Sequence, residues 1–315
     1  MKITIGKHAG YCWGVKRSYK KLLEAAADES NDKPIVTLGP LIHNPQTIER
    51  LEEDHQIGYT DDAESVGTDT RVAVRTHGVK PQVVQEMEAR GVEVLDLTCP
   101  LVRVIQVRAE KFYKRGYHVV IVGSAKHPEI ISITGYVPDG EWSVVESLAD
   151  IEKVEPNGKP IGVVCQSTHM IEFVEQVVEA LKQRFGGVVE VEFKNTICFV
   201  TTERQEETKW LAEVTDAIIV VGGKESSNTE KLKKTALECG ATHVVKIEDA
   251  SELDVSEFRG KAHLGLLAGA STPKWVIDEV VEKIRNEVGE AVEVEDLTES
   301  KERKTKEAAL DREFE

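Results

Sequence analysis

Several absences in this sequence each remove a class of protein. No run of 18 apolar residues occurs among its 315, so nothing in it reads as a transmembrane helix. The N-terminus passes directly into strand-like sequence, without a basic stretch followed by an apolar one. No secretory signal is expected, and a cytoplasmic protein is. Cationic residues are the minority: 40 Lys and Arg against 56 Asp and Glu leave a net charge of −16, which argues against nucleic-acid binding over the whole surface. The five cysteines form no C-x-x-C pair, which excludes a ferredoxin-type ligand loop and a zinc ribbon.

What remains is a soluble globular composition, 40% hydrophobic and 30% charged, in a chain long enough for two or three domains. Five cysteines in an unexported chain of this size suggest metal or redox chemistry before disulfides. An acidic exterior repels acidic ligands at long range. An anionic substrate therefore needs a local pocket of cationic or N–H donors.

Three cysteines share one context. Ile3–Cys12, Val92–Cys99 and Val189–Cys198 are short strand-like runs ending on a thiol, and helical apolar spacing follows each. A thiol at a helix N-terminus meets free N–H groups and the positive end of the dipole, which favour the thiolate that binds metal. Cys165 and Cys239 lack this corner. Cys239 is expected to be inert packing. Cys165 ends a strand near a polar cluster and is not expected to be a ligand.

The cysteine corners belong to a threefold repeat. After each helix comes a buried-type strand ending in polar residues: Pro34–Asn44, His118–Glu129 and Ala217–Asn228. Helix-like sequence follows, then a second strand and cluster: Val72–Gly78, Ile161–His169 and Leu264–Thr272. From cysteine to first cluster the offsets are 31, 28 and 28 residues, at His43, His127 and Ser226. To the second they are 65, 68 and 73, at His77, Ser167 and Ser271. Val292–Thr298 nearly copies Val92–Thr98, with Glu299 where a fourth cysteine would stand, because the first cysteine strand sits at the N-terminus instead. The expected fold is α/β: three similar βαβ-type units with parallel sheets, over residues 1–98, 99–197 and 198–298. Residues 299–315 form a charged tail, read as solvated or loosely packed. In such sheets ligands bind at the carboxyl ends of strands, and every polar cluster lies there. Three units meeting with those ends inward would surround one cavity.

Three thiolates from distant segments leave one metal position without a protein thiolate, which suits a [4Fe–4S] cluster with one iron open to substrate. His43, Asn44, His77, Ser226, Ser227 and Asn228 offer donors at helix N-termini, where anions bind. Ser271 follows Ala268-Gly269-Ala270, small residues that let backbone approach a ligand. Together these residues can hold a phosphate or diphosphate without lysines. In His127-Pro128-Glu129 the proline suits a first helical turn, and Glu129 is placed as proton donor or acceptor. In Gln166-Ser167-Thr168 the serine and threonine add hydroxyls for a proton relay.

The motifs C-W-G-V at Cys12, H-N at His43, H-G-V at His77, T-C-P at Cys99, H-P-E at His127, C-F-V-T-T-E-R-Q at Cys198, S-S-N at Ser226 and A-G-A-S at Ala268 resemble the 4-hydroxy-3-methylbut-2-enyl diphosphate reductase family, over residues 1 to about 298. The resemblance implies a pseudo-three-fold trefoil around a central Fe–S site, a [4Fe–4S] cluster held by Cys12, Cys99 and Cys198 with one open iron. It implies diphosphate binding by His43, His77, Ser226, Asn228 and Ser271, with Ser227 nearby. It makes Glu129 the proton donor, with His127 and Ser167 around the substrate's alcohol. The reaction implied is reductive dehydration to isopentenyl and dimethylallyl diphosphate in the methylerythritol phosphate route, with a ferredoxin or flavodoxin as electron donor. Lys16, Arg17, Arg103, Arg108 and Lys111 are candidates for docking that donor. The family usually has threonine at the position of Ser167, and a threonine-, serine- or alanine-like residue at Cys165.

Two other readings stay open on the residues alone. One is a [4Fe–4S] hydro-lyase acting on another small phosphorylated substrate. The clusters contain no arginine pair to grip carboxylates bidentately, which favours phosphate. The other is a zinc-stapled phosphate-binding module without catalysis.

Overall fold

The computed structural model describes residues 1–288, 291–298 and 300–314. Glu299, at the fourth-cysteine position, lies outside them. Strands and helices alternate along the chain. β1 (Lys2–Ile5) leads to α1 (Trp13–Ala26), β2 (Ile35–Leu38), α2 (Pro45–His55), β3 (Tyr59–Thr60), β4 (Arg71–Val74), α3 (Pro81–Ala89) and β5 (Glu93–Asp96). Next come α4 (Pro100–Lys114), β6 (His118–Val122), α5 (Pro128–Thr134), β7 (Trp142–Val145), β8 (Ile161–Cys165), α6 (Ile171–Phe185) and β9 (Val191–Phe193). The last third holds α7 (Phe199–Val214), β10 (Ala217–Val221), α8 (Ser227–Glu238), β11 (Val244–Ile247), β12 (His263–Ala268), α9 (Lys274–Val288), β13 (Glu293–Asp296) and α10 (Lys301–Phe314).

All pairings among these strands are parallel. They form three sheets, ordered β3-β2-β4-β5, β7-β6-β8-β9 and β11-β10-β12-β1-β13. The strand before a cysteine occupies the same place in each: β5, β9 and β1 lie beside β4, β8 and β12. The N-terminal strand thus completes the sheet of the last repeat, as the shifted order in the sequence implies. β13 adds a fifth strand outside β1. It repeats the β5 turn: Thr98 N donates to Asp96 Oδ1 and Thr298 N to Asp296 Oδ1, both at 2.9 Å.

Three edge strands, β3, β7 and β11, fall where only helix-like sequence was expected. An edge strand pairs on one side and stays half-exposed, so it needs no continuous apolar run. Burial along all three is mostly intermediate.

The chain separates into two compact units. One comprises Met1–Lys16, His43–Glu49 and Phe199–Glu315 and contains the five-stranded sheet. Along β10, Ile219 and Val221 pack with Val276, Ile277, Val280 and Ile284 of α9, while Ile218 and Val220 face Leu211 of α7 and Leu232 of α8. That alternation is the period of a strand covered by helices on both faces. The other unit comprises Arg17–Ile42 and Arg50–Cys198 and contains both four-stranded sheets. Val120, Val122, Val163 and Cys165 pack on Val174, Val177 and Leu181 of α6. Val119, Ile121 and Val164 pack on Ile105 and Phe112 of α4 and on Ile130 and Ile133 of α5. Each such buried aliphatic side chain contributes roughly 1.5–3 kcal/mol.

The tail is a helix, α10, with no buried residue among those described. Its charge pattern fits the expected solvated exterior, yet one side is tied down. Arg303 reaches the carbonyls of Lys7, Ala9 and Tyr11, and Asp311 accepts from Trp13 Nε1 at 2.7 Å. Among the described residues, no helix is long and apolar enough to cross a membrane.

Candidate active site

In the unit built on the five-stranded sheet, Cys12 caps α1. Its Sγ accepts from Val15 N at 3.4 Å, and its own N–H donates to Ala270 O at 2.9 Å. The thiol is therefore fixed beside the A-G-A-S segment after β12. Asn44 is buried and caps α2 through Oδ1, which accepts from Thr47 N at 2.8 Å. That cap sets the turn carrying His43.

His43 also meets both neighbouring strand ends. Ser271 Oγ donates to His43 O at 3.2 Å. Gly223, just beyond β10, has no room for a side chain: a Cβ there would lie 2.7 Å from His43 O. Three residues on, Ser226 caps α8 by accepting from Thr229 N at 3.3 Å. The unit thus gathers His43, Ser271 and the first turn of α8. Ser227 is half-buried there, whereas Asn228 is buried and its Nδ2 has no hydrogen-bond partner. An unpaired buried amide donor costs about 1–3 kcal/mol, and its place in a first helical turn makes it a candidate anion donor.

The second unit carries Glu129. His127 caps α5, its Nδ1 accepting from Glu129 N at 3.2 Å, and Pro128 takes the first helical position. Glu129 is 1% exposed. Both its oxygens are engaged: Ser167 N donates to Oε1 and Ser167 Oγ to Oε2, each at 2.6 Å. Ser167 O in turn accepts from Cys198 N at 2.8 Å. The His127 ring stands edge-on to His77, with centroids 5.3 Å apart. His77 is held by its backbone, since Ser132 Oγ donates to His77 O at 2.9 Å. Gly78 follows with φ +72°, and a Cβ there would lie 2.6 Å from Gln106 Nε2.

Cys99 caps α4, with Pro100 in the first turn, and its N–H donates to Thr76 O at 2.9 Å. None of the five cysteines forms a disulfide. Cys12, Cys99 and Cys198 are half-buried at helix starts. Cys165 is fully buried in β8, its Sγ 3.2 Å from Thr196 Oγ1, and burial pushes its thiol up. Cys239 differs from expectation: it is exposed at the C-terminal end of α8 instead of packed, because the helix ends there and turns its last residue to solvent.

The positioning residues Thr47, Gln106, Ser132 and Thr196 escaped the sequence reading. Each is a lone polar residue without a motif, and only the fold reveals its partner. The cationic candidates are mostly engaged within the chain. Lys16 pairs with Glu307 at 2.8 Å, Arg103 with Asp96 and Tyr136, and Arg108 donates to Asn195 O at 2.7 Å. Lys111 is exposed.

Parallel strands leading into helices, with thiol, amide, hydroxyl and imidazole groups gathered at the strand ends, define an α/β protein whose candidate anion and metal positions lie at those ends. The chain belongs to the LytB family: the model for "LytB protein" matches residues 3–285. It is 41% identical over 285 residues to the 4-hydroxy-3-methylbut-2-enyl diphosphate reductase of Citrifermentans bemidjiense, covering 90% of this chain and 97% of that one. The protein of the same name from Caldanaerobacter subterraneus subsp. tengcongensis is 38% identical over 294 residues, covering 92% and 99%. A solved structure of (E)-4-hydroxy-3-methyl-but-2-enyl diphosphate reductase, described as the terminal enzyme of the non-mevalonate pathway, superposes with a TM-score of 0.67 at 38% identity, covering 90% of this chain and 99% of that one. The Plasmodium falciparum reductase structure shares the fold at a TM-score of 0.83 and 23% identity, covering 100% and 99%.

Proposed function

We propose that this protein reduces 4-hydroxy-3-methylbut-2-enyl diphosphate to isopentenyl and dimethylallyl diphosphate in isoprenoid biosynthesis. The carbon–oxygen bond of the allylic alcohol breaks, two electrons and two protons enter, and water leaves. The observation that carries the reading is the buried Glu129 carboxylate, held at both oxygens by Ser167, which is itself bonded to the backbone of Cys198. In a chain of this family, that bonding supports reading Glu129 as the proton donor, one hydrogen-bonded residue away from the candidate ligand Cys198.

We assign Cys12, Cys99 and Cys198 as ligands of a [4Fe–4S] cluster with one iron left open. The donor set fits: three thiols outside any disulfide, each at the N-terminus of a helix that favours its thiolate, suit a soft metal centre. When bound, the cluster supplies single electrons and a Lewis-acidic iron. The remaining steps belong to side chains. His43, His77, Ser226, Asn228 and Ser271, with Ser227 at the edge, bind the diphosphate through neutral donors and a helix N-terminus. Binding energy at that end orients the alcohol. Glu129 delivers a proton to the departing hydroxyl, and its hydrogen bond to Ser167 Oγ fixes the direction of delivery. His127, which caps the same helix, closes the alcohol end.

Electrons come from a small redox protein, a ferredoxin or flavodoxin. Anaerobic turnover of 4-hydroxy-3-methylbut-2-enyl diphosphate with a one-electron reductant, with iron and sulfide counted in the same sample, tests the proposal. Product formation that needs both reductant and cluster supports it. Reductant-independent loss of water would make the protein a hydro-lyase. Zinc in place of iron and sulfide would make it a binding module.

A further inference from the structure

The sequence match to the family model ends at residue 285, and α10 begins sixteen positions later at Lys301. An exposed, highly charged helix at a chain end needs no partner. Yet the contacts of α10 concentrate on two places in its own unit. One is the loop and first turn around Cys12. The other is the first turn of α7, which starts directly after Cys198.

Arg303 makes the closest engagement. Its side chain is 9% exposed although its helix is open to solvent. Nη1 donates to Lys7 O at 2.8 Å and Ala9 O at 2.9 Å, and Nη2 to Tyr11 O at 3.1 Å. Glu307 orients the fork by accepting from Nε at 3.1 Å. A fourth carbonyl on this stretch, Gly10 O, accepts from Arg204 Nη2 of α7 at 2.8 Å. From the other side, Glu207 of α7 accepts from His8 N at 3.1 Å, and a Cβ on Gly6 would lie 2.6 Å from its carboxylate. Further along α10, Glu307 pairs with Lys16, Asp311 accepts from Trp13, Phe314 packs on the Trp13 ring, and Lys306 lies over Phe199 and pairs with Glu203.

Four carbonyls in five residues, all taken by guanidinium groups, do not arise from a loop that merely crosses the surface. Loops of this kind ordinarily leave their carbonyls to water. A planar fork that spans three carbonyls fixes their mutual orientation, which an ammonium or solvent cannot. The backbone so fixed ends at Cys12.

We propose that Arg303, carried by α10, is a positioning residue for Cys12: it sets the backbone that aims the thiol, and α10 is the strap that keeps it there. The proposal rests on the reading of Cys12 as a cluster ligand. It adds a device outside the span of the family model that governs how firmly that ligand is held.

Hydrogen exchange and thiol alkylation of the iron-free, full-length chain test the strap without requiring a cluster. In Arg303→Gln, amides of residues 7–12 are expected to exchange roughly tenfold faster, because charge-assisted bonds that hold a local segment are lost. Alkylation of Cys12 is expected to accelerate several-fold, with Cys99 and Cys198 as unchanged internal references. Arg303→Lys, the milder change, is expected to lose part of the protection. Unchanged exchange at residues 7–12 in both variants overturns the proposal. So does faster exchange spread evenly over β10 and β12, which would mean general destabilisation. The iron-loaded variants separate this from the ligand assignment. Faster release of iron to a chelator, with an altered cluster spectrum, supports the strap acting through Cys12. A locally loosened loop with unaltered iron release and spectrum overturns the strap's hold on the ligand, whereas a Cys12→Ala chain that keeps its full iron content overturns the ligand assignment instead.

Discussion

Ser167 holds Glu129 by two hydrogen bonds, from its amide to one carboxylate oxygen and from its hydroxyl to the other. One residue thereby fixes both the position and the rotation of a buried acid. The backbone bond keeps the carboxylate in place whatever side chain stands at 167. The hydroxyl bond holds the second oxygen.

Glu129→Gln keeps an acceptor for the Ser167 amide and removes the transferable proton. Turnover is expected to fall by about 10²–10⁴-fold, with iron content unchanged and the thermal midpoint little altered. Kinetics under saturating reductant, alongside a melting curve, check this. Near-normal kcat would remove Glu129 as the acid.

Ser167→Thr retains both bonds and adds a methyl to a side chain already 7% exposed. Its effect on turnover is expected to stay within about tenfold, or roughly 1.4 kcal/mol. Ser167→Ala loses the hydroxyl bond and is expected to cost about 1 kcal/mol of stability together with a larger drop in kcat than in KM. Denaturant titration and steady-state kinetics on the pair separate the two bonds.

Gly223→Ala places a methyl 2.7 Å from His43 O. A backbone oxygen cannot swing aside as a flexible side chain can. The substitution is expected to displace the His43 turn at a cost of about 1–3 kcal/mol, and to raise KM for the diphosphate substrate more than it lowers kcat. A KM that stays put would separate His43 from substrate binding.

The pH dependence of stability should carry the signature of His8. Its imidazole is lowered to about 3, chiefly by burial and then by Arg204, Lys7, Arg303 and Lys306 around it. Below its ordinary value near 6.5 the unfolded chain binds a proton that the folded chain refuses. Stability contributed by neutral His8 is thus present above about 6.5 and lost as pH falls toward 3. Glu207, pushed up mainly by burial, has the opposite sign, its contribution being lost as pH rises above the ordinary carboxylate range. Denaturant melts of wild type and His8→Gln between pH 4 and 7 should therefore converge toward the acid end. Parallel curves would mean that His8 titrates normally.

Much of this fold is written in local pattern. Runs such as Ala217–Val221 and His118–Val122 are buried throughout and flanked by helix-forming sequence, so their parallel arrangement follows from composition. The cysteine corners were legible for the same reason, since each thiol falls just after a strand and just before a helix. The edge strands were not, because Tyr59–Thr60 is two residues long and half-exposed. Nor was α10, whose attachment depends on Arg303 meeting carbonyls some 290 positions away in sequence. Ser226 and Glu129 could be placed by capping patterns. That Ser167 binds Glu129, or that Ser132 binds the His77 turn, depends on which strands become neighbours.

β1 pairs on one side with β12 and on the other with β13. Lys2–Ile5 therefore have no sheet to join until β12, some 260 positions further along the chain, has been made. The other two sheets can close while synthesis continues, but this one must wait for its last strand. The loop from β1 to Cys12 is consequently seated only after β12 has been made, although Cys12 precedes the other four thiols in the sequence.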